Sequence, residues 1–406
     1  MKRILLTTQI FAPPLNGGSV VSLHEVFRRL QSMEVTVLAP ATAGDAAFDH
    51  GLSYRVIRSR VLSRLGPSKA HRGWVYFVWL LKMLVLCRQR DINYLHIGHA
   101  FTGYEGLVGL AAARAMRIPC FFWIYGEDIT KSLSRGGWRE NLGRWMLKRA
   151  NGVLANSRWT KERIVEFLGE SAPPVAVVYP GVDTNVFRPD PQASRVVRRK
   201  LNLPDGPFLL SASRLERRKG LDLAIEAVPI ILREYPQASL VIVGRGPEEE
   251  SLRGSTKRLG VADRVVFAGY VSTAELALYY AACDVFVVPT LPIEATGDTE
   301  GFGMVFIEAN ACGKPVVAGC SGATVEAVQD GVTGLLIDVR AADDVAGAVL
   351  RLLRDPHYAS CLAQNGLERV RERFTWDRSA QAVEEFCCKV ESALEMRKGH
   401  EHQRSF

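Results

Sequence analysis

At 406 residues the chain is long enough for two domains of ordinary size, and its 48% hydrophobic and 23% charged residues exclude a disordered or collagen-like polypeptide. Its formal net charge of +8 is unevenly placed: residues 1–190 hold 25 Lys and Arg against 14 Asp and Glu, while residues 191–406 hold 26 against 29. The first half therefore carries the whole basic surplus and is expected to meet something anionic.

The N-terminal run Met1–Thr8 begins like a signal peptide, but Gln9 and Pro13-Pro14 cut its apolar stretch short, so it reads as a first buried strand. Further strands are predicted near 34–38, 92–96, 119–124, 151–155 and 174–178, with helices near 18–31, 72–88, 103–116, 136–150 and 157–168. The most apolar segment, Trp74 to Cys87, is too short and too interrupted by Lys82 to span a bilayer. It is either a buried helix or one that leans on a membrane surface. Arg55, Arg58, Arg60, Arg64, Lys69 and Arg72 before it, and Arg88 and Arg90 after it, suit anionic headgroups.

Pro and Gly crowd residues 180–207, which marks a seam. Beyond it, FLLSAS (208–213), SLVIVG (239–244), RVVFAG (264–269), DVFVVP (284–289), PVVAG (315–319) and GLLID (334–338) alternate with helical stretches. Short continuous apolar runs between helices indicate parallel strands buried on both faces, and two such series indicate two doubly wound α/β domains. Trp376–Met396 reads as an amphipathic helix, with fraying expected after Lys398. The eight cysteines form no CxxC pair and no zinc spacing, which suits reduced thiols in a cytosolic protein.

Four motifs stand out. Ser213-Arg214-Leu215-Glu216-Arg217-Arg218-Lys219-Gly220 follows a strand and opens a helix. Arg214 and Lys219 there either grip a pyrophosphate with help from the helix N-terminus or form a solvated basic turn. In Glu300-Gly301-Phe302-Gly303, with Glu308 about two turns into the following helix, the glycines admit a ligand to the backbone and a carboxylate accepts from vicinal hydroxyls. That carboxylate pair also raises a glycosidase mechanism, although such pairs do not usually accompany a pyrophosphate-type cation pair. Pro13-Pro14-Leu15-Asn16-Gly17-Gly18-Ser19 joins the first strand to the first helix, where phosphates are met in such sheets. No GxGxxG or GxxxxGK[ST] pattern occurs, which argues against a dinucleotide oxidoreductase and a P-loop enzyme. His96-Ile97-Gly98-His99 has the letters of a class I aminoacyl-tRNA synthetase motif but neither its position nor its KMSKS-like partner. His96 is instead expected to end a strand, and His99 to lie in a loop.

Taken in order, Arg214 and Lys219 and then Glu300 and Glu308 resemble the retaining family-4 glycosyltransferases of the GT-B fold. Tyr179-Pro180-Gly181-Val182-Asp183, Val243-Gly244-Arg245-Gly246 and Ala311-Cys312-Gly313-Lys314-Pro315 agree. The resemblance spans essentially the whole chain and is strongest over residues 175–375. It implies two Rossmann-like domains facing a central cleft. Residues 1–190 would form the acceptor side and 191–375 the nucleotide-sugar side, with 376–406 a helix packing back on the first domain. It implies that Glu308 holds the ribose hydroxyls and that Arg214 and Lys219 neutralise the departing diphosphate. Glu300, Gly301, Phe302 and Gly303 would face the donor, with Gly244 and Arg245 beside it and Gly17 and Gly18 closing over the phosphates.

The chain contains no D-x-D triplet, so no metal cofactor is expected. One departure concerns the first domain. Many relatives carry His-Gly-x-Glu or His-Gly-x-Asp where this chain reads Tyr125-Gly126-Glu127-Asp128, so Tyr125, Asp128 and His99 are the acceptor-side candidates. The segment Pro289–Glu308 is most similar to bacterial mannosyltransferases acting on phosphatidylinositol mannosides. This implies a hexose, best read as mannose from GDP-mannose, passed to a lipid-linked or polysaccharide acceptor. A UDP-sugar donor, or a hydrolase or epimerase of the same fold, is the alternative. The expected location is cytoplasmic, peripheral on the inner face of the membrane. No nucleic-acid partner is expected, because the basic half lacks aromatics interleaved with cations. If the apolar helix leans on a membrane, the purified protein co-sediments with anionic liposomes and is released by salt; absence of binding contradicts that reading.

Overall fold

The computed structural model describes residues 1–15, 17–63, 69–101, 104–133, 136–293 and 297–403, the side chains of 69–70, 131–133 and 398–403 excepted. The chain divides into two compact units. Unit 1 joins Met1–Pro180 to Trp376–Phe406, and unit 2 is Gly181–Thr375. Gly181–Asp190, expected with the first domain, go with unit 2. There the Val182 amide donates to the Phe374 carbonyl at 2.8 Å and the Phe187 ring packs edge-on against Tyr280.

Unit 1 is built from β1 (Lys2–Thr7), α1 (Gly18–Phe27), β2 (Met33–Pro40), α2 (Asp45–His50), β3 (Arg55–Ser59), α3 (Lys69–Gln89) and β4 (Tyr94–Ile97). There follow α4 (Glu105–Met116), β5 (Cys120–Ile124), α5 (Gly137–Leu147), β6 (Gly152–Ala155), α6 (Arg158–Leu168) and β7 (Val175–Val177). All seven strands pair in parallel in the order β3-β2-β1-β4-β5-β6-β7. Alternation along the strands sends Leu5, Leu95, Ile97, Phe122 and Val153 into a core with Trp79, Met83, Leu110 and Ile164 of α3, α4 and α6. The residues between them face the other way, where Phe27 of α1 meets His96 and Trp123.

β3 escaped the sequence reading because Arg-Val-Ile-Arg-Ser is a half-polar edge strand. Its Arg58, counted there among the headgroup-facing cations, turns inward instead. It pairs with Asp49 at 2.7 Å and donates to the carbonyls of Ala12 and Pro40. Of the other flanking cations, Arg64 lies outside the described residues, and Lys69 is described in its backbone only. His96 does not end a strand; it is the third residue of β4 and fully buried, where its Nδ1 accepts from the Trp123 indole at 3.2 Å.

Unit 2 runs α7 (Ala193–Leu201), β8 (Phe208–Ala212), α8 (Leu221–Leu232), β9 (Ser239–Val243), α9 (Glu249–Arg258), β10 (Val265–Gly269), α10 (Thr273–Ala282) and β11 (Val285–Val288). It continues with α11 (Met304–Ala311), β12 (Val316–Gly319), α12 (Thr324–Ala327), β13 (Leu335–Ile337), α13 (Ala342–Arg354) and α14 (Pro356–Arg373). Its six parallel strands run β10-β9-β8-β11-β12-β13. Leu209, Ile242, Val287 and Val317 face a core shared with α8 and α13. Phe286 on the opposite face meets Tyr280 and Phe306 of α10 and α11.

The last helix, α15 (Trp376–Gln403), belongs to unit 1. Its Phe386 ring packs on Phe121, and its Glu391 accepts from the Tyr94 hydroxyl at 2.6 Å and pairs with Lys2 at 2.5 Å. The helix is described as far as Gln403, beyond Lys398.

Helix α3 is buried along one face, as expected of a core helix, and exposed along another. Val75, Trp79 and Met83 are fully buried, and the Trp79 indole donates to the Thr7 hydroxyl at 2.7 Å. Trp74, Phe77, Leu81 and Val85, spaced three and four residues apart, form an exposed stripe along the same helix. Among the described residues no helix is long and apolar enough to cross a membrane. The two faces predict opposite sensitivities: Trp79→Ala should cost about 3–5 kcal/mol in denaturant unfolding, and Phe77→Ala within about 0.5 kcal/mol. Equal effects would contradict this division of the helix.

Candidate active site

Each sheet reverses its strand order once, between β8 and β11 in unit 2 and between β1 and β4 in unit 1. Loops leaving the carboxyl ends of such neighbouring strands diverge and leave a crevice, the usual ligand position in open α/β sheets.

In unit 2 the loop after β8 carries Ser213–Gly220 and the loop after β11 leads to Glu300. The first ends in a single 3₁₀ turn, Arg217–Lys219, closed by Gly220 at φ +62°. A Cβ at Gly220 would lie 2.1 Å from the Pro289 carbonyl oxygen, so glycine alone lets this turn sit against the end of β11. Gly244, at φ +131°, plays the same part for the loop after β9: a Cβ there would reach within 1.9 Å of the Ser213 carbonyl oxygen. The two loops lie flat on each other, the Leu215 amide donating to the Arg245 carbonyl at 3.0 Å.

This packing brings Lys219 and Glu300 together, as two sequence motifs 81 residues apart could not reveal. Lys219 Nζ and Arg218 Nη1 both donate to Glu300 Oε2, at 2.5 and 2.9 Å. All three residues are buried. Burial by itself raises the Glu300 pKa, but the charges of Lys219 and then Arg218 outweigh it and hold the carboxyl below its ordinary range. Arg218 also lies 3.3 Å from Glu216 and 3.7 Å from Asp298. Arg214 is different: its side chain is 63% exposed and pairs with Glu216 at 2.5 Å. Arg245 is exposed as well. The buried partner of Lys219 is thus Arg218, which the sequence reading passed over. A run of three cations does not say which one points inward.

Glu308 is the fifth residue of α11, little more than one turn in rather than two. Its Oε2 accepts from the Tyr280 hydroxyl at 2.9 Å. Burial pushes its pKa up to about 7, against the opposing Tyr280 bond. Tyr280 itself is fully buried on α10. It was not foreseen, since a tyrosine on an apolar helix face reads as core. Phe302 turns its ring into the protein against Phe374, so a ligand would meet it only through its backbone. Gly303, at φ +92°, caps the N-terminus of α11.

Unit 1 assembles a second polar group. His99 follows β4; its Nδ1 lies 2.6 Å from the Thr8 hydroxyl and its Nε2 3.1 Å from the Ser19 hydroxyl. Thr8 also donates to the Ile10 carbonyl at 2.9 Å, so its one proton is committed and His99 Nδ1 is the donor toward Thr8. That leaves Nε2 as an acceptor facing Ser19. Burial lowers the His99 pKa to about 4, so the ring is neutral at pH 7. Tyr125 stacks on His99 with centroids 5.8 Å apart, and its hydroxyl donates to the Ser19 carbonyl at 3.4 Å. Asp128 accepts from the Tyr125 amide at 2.9 Å, and its pKa is raised by burial to about 7. Gly17, at φ +90°, caps α1, and Gly18 is its first residue. Thr8 was not anticipated, because an isolated polar residue after a strand carries no pattern of its own, and Ser19, although it ends the Pro13–Ser19 motif, was given no role of its own.

Chemically, unit 2 offers paired cations with a carboxylate between them and a second carboxylate poised to titrate near neutrality. Unit 1 offers a neutral imidazole, hydroxyls and a weakly acidic aspartate. Known proteins supply the context. A family model described as "Glycosyl transferases group 1" matches residues 194–369, and one described as "Glycosyltransferase Family 4" matches residues 16–186. The chain is 36% identical over 401 residues to a GDP-mannose-dependent alpha-(1-6)-phosphatidylinositol monomannoside mannosyltransferase of Mycobacterium tuberculosis, covering 95% of this chain and 98% of that one. It is 33% identical to a D-inositol 3-phosphate glycosyltransferase of Acidothermus cellulolyticus, covering 90% and 84%. Among solved structures it resembles Anabaena Alr3699/HepE in complex with UDP, with a TM-score of 0.76, 23% identity and coverage of 96% and 100%. Matched in both halves and related at this level over nearly its full length, the chain belongs to the family-4, group-1 glycosyltransferases of the GT-B fold and is a sugar-transferring enzyme.

Proposed function

We propose that this enzyme transfers mannose from GDP-mannose to an inositol-bearing phospholipid with retention of anomeric configuration. The observation that carries the proposal is 36% identity over almost the whole chain to a mannosyltransferase whose name states that donor and acceptor class. The unit 2 geometry supports a nucleotide-sugar role. Departure of a nucleoside diphosphate concentrates negative charge on phosphate oxygens, and preorganised cations lower the energy of that state. Lys219 and exposed Arg214 take the diphosphate, while Arg218 and Glu300 hold Lys219 at the mouth of the crevice. Side-chain cations do this work without a metal. The amides of Gly301, Phe302 and Gly303, with Gly244 and Arg245, line the donor. Glu308 accepts from the ribose hydroxyls through Oε1, its Oε2 being held by Tyr280. Gly17 and Gly18 take part on the phosphate side.

The acceptor hydroxyl attacks C1 from the face the diphosphate leaves. The C1–O bond to phosphate breaks with its electron pair on the phosphate, the new C1–O bond forms, and the hydroxyl proton passes to the departing oxygen. His99, Tyr125 and Asp128 of unit 1 serve the acceptor side. Unit 1, Met1–Pro180 with Trp376–Phe406, acts as the acceptor domain and unit 2, Gly181–Thr375, as the donor domain. The stripe of Trp74, Phe77, Leu81 and Val85, near exposed Arg72 and Arg88, supports peripheral contact with an anionic cytoplasmic membrane face, where a lipid acceptor would lie. No nucleic-acid partner is assigned.

A donor panel tests the donor. GDP and GDP-mannose should raise the melting temperature by mass action, and UDP-sugars should not. A shift with UDP-glucose alone overturns the mannose assignment, and free sugar without acceptor transfer favours a hydrolase. Arg214→Ala combined with Lys219→Ala should lower kcat by about 10²–10³-fold. Near-normal transfer by that double variant would refute the phosphate grip. Because Glu308 titrates at about 7 and binds hydroxyls best when ionised, GDP affinity should fall about tenfold between about pH 8 and about pH 6. In Glu308→Gln the affinity should be weaker and flat with pH; a wild-type affinity that does not change over this range would contradict the role of Glu308.

A further inference from the structure

Glu105 is the first residue of α4 and stands at the order reversal of the unit 1 sheet, between the loops that leave β1 and β4. Its residue is 1% exposed. Oε2 accepts from the Gln9 amide of the β1–α1 loop at 3.0 Å, and the His99 amide of the β4–α4 loop also favours its charge. Oε1 makes no hydrogen bond among the described residues. Tyr76 of α3 adds to the same junction, its hydroxyl accepting from Gln9 Nε2 at 3.3 Å and from the Tyr104 amide at 3.2 Å. A buried carboxyl with an idle oxygen and, among the described residues, no cation paired with it is an expensive residue to keep for packing alone.

We propose that Glu105 is a positioning residue for the acceptor: its carboxyl clasps the β1–α1 and β4–α4 loops together and thereby sets His99, Ser19 and the Gly17–Gly18 turn. This rests on the reading of those loops as substrate-facing. The clasp is an uncharged acid. Burial raises its pKa well above the ordinary 4.5, and the Asp128 carboxylate after β5 raises it further, while the Gln9 and His99 amides oppose too weakly. Among the described residues the other titratable groups facing the junction are the His99 ring, neutral at pH 7, and the Tyr76 hydroxyl. Below pH 4.5 both folded and unfolded carboxyls are protonated and burial carries no charge penalty. As pH rises the unfolded carboxyl ionises while the folded one resists, so stability is progressively lost until the folded pKa is passed. Glutamine has the same shape, accepts the same Gln9 bond and never ionises.

Two variants of the full chain, Glu105→Gln and Glu105→Ala, test the clasp. Melting temperatures of both and of wild type are followed from about pH 5 to about pH 9, and kcat and both KM values are measured well below all three melting points. The melting temperature of Glu105→Gln should climb relative to wild type as pH rises, by several degrees overall. Glu105→Gln should keep kcat/KM for the acceptor within about threefold, whereas Glu105→Ala should raise the acceptor KM about tenfold or more with the donor KM unmoved. A Glu105→Gln melting difference that is flat with pH overturns the proposal. So do equal acceptor losses in both variants, or unchanged acceptor KM in Glu105→Ala. If wild type transfers from no donor, the transferase substrate assignment fails, and the melting comparison still decides the clasp.

Discussion

One buried carboxylate organises the chemical end of unit 2. Glu300 accepts from both Lys219 and Arg218, and through them the loop after β11 is tied to the loop after β8. Desolvating three ionised groups is unfavourable unless each is paired, so the cluster stands or falls together; removing one partner from such a group typically costs about 3–5 kcal/mol. The glycines around it follow from the same constraint. Gly220 and Gly244 let backbone approach backbone where a Cβ would collide with a carbonyl oxygen, and this closeness brings the charges within contact. An anion arriving at this crevice meets cations already fixed in place, which is the condition under which electrostatic stabilisation of a leaving group is effective.

The two units use the same architectural device for different chemistry. Both reverse strand order once, and both place their polar groups at that reversal. Unit 2 fills it with charge. Unit 1 fills it with a neutral histidine whose ring nitrogens both meet hydroxyls, and with carboxyls whose pKa values are raised by burial. The proposed division of labour fits this contrast: paired cations suit a diphosphate, and an imidazole with hydroxyls suits an acceptor hydroxyl. The basic surplus of residues 1–190 is then not needed at the unit 1 crevice. Among its described cations Arg72 and Arg88 are exposed on α3 beside the apolar stripe, whereas Arg58 is paired inside the unit.

Much of this was legible in the residue order. Continuous apolar runs separated by helices announced parallel strands, since only strands covered on both faces can be apolar throughout. The Glu300–Glu308 spacing and the Ser213–Gly220 loop singled out, without any coordinates, segments that the structure brings together through Lys219 and Glu300. What could not be read depends on packing between distant segments. Arg214, Arg217, Arg218 and Lys219 look alike in sequence, yet Arg218 and Lys219 are buried while Arg214 is mostly exposed. Tyr280 meets Glu308 across two helices. β3 went unseen because its arginines suggested surface, while Arg58 in fact satisfies Asp49 and two backbone carbonyls inside the unit. Glu105 falls near the start of the helix predicted over 103–116 and belongs to no motif; only its burial sets it apart.

The central claim is that this glycosyltransferase moves mannose onto an inositol phospholipid. The most direct measurement incubates the full-length protein with GDP-[¹⁴C]mannose and vesicles containing a phosphatidylinositol-type acceptor, then identifies the labelled product by chromatography and NMR. The account predicts a labelled glycolipid carrying an α-linked mannose. Label recovered only as free mannose, or a product of β configuration, would contradict it.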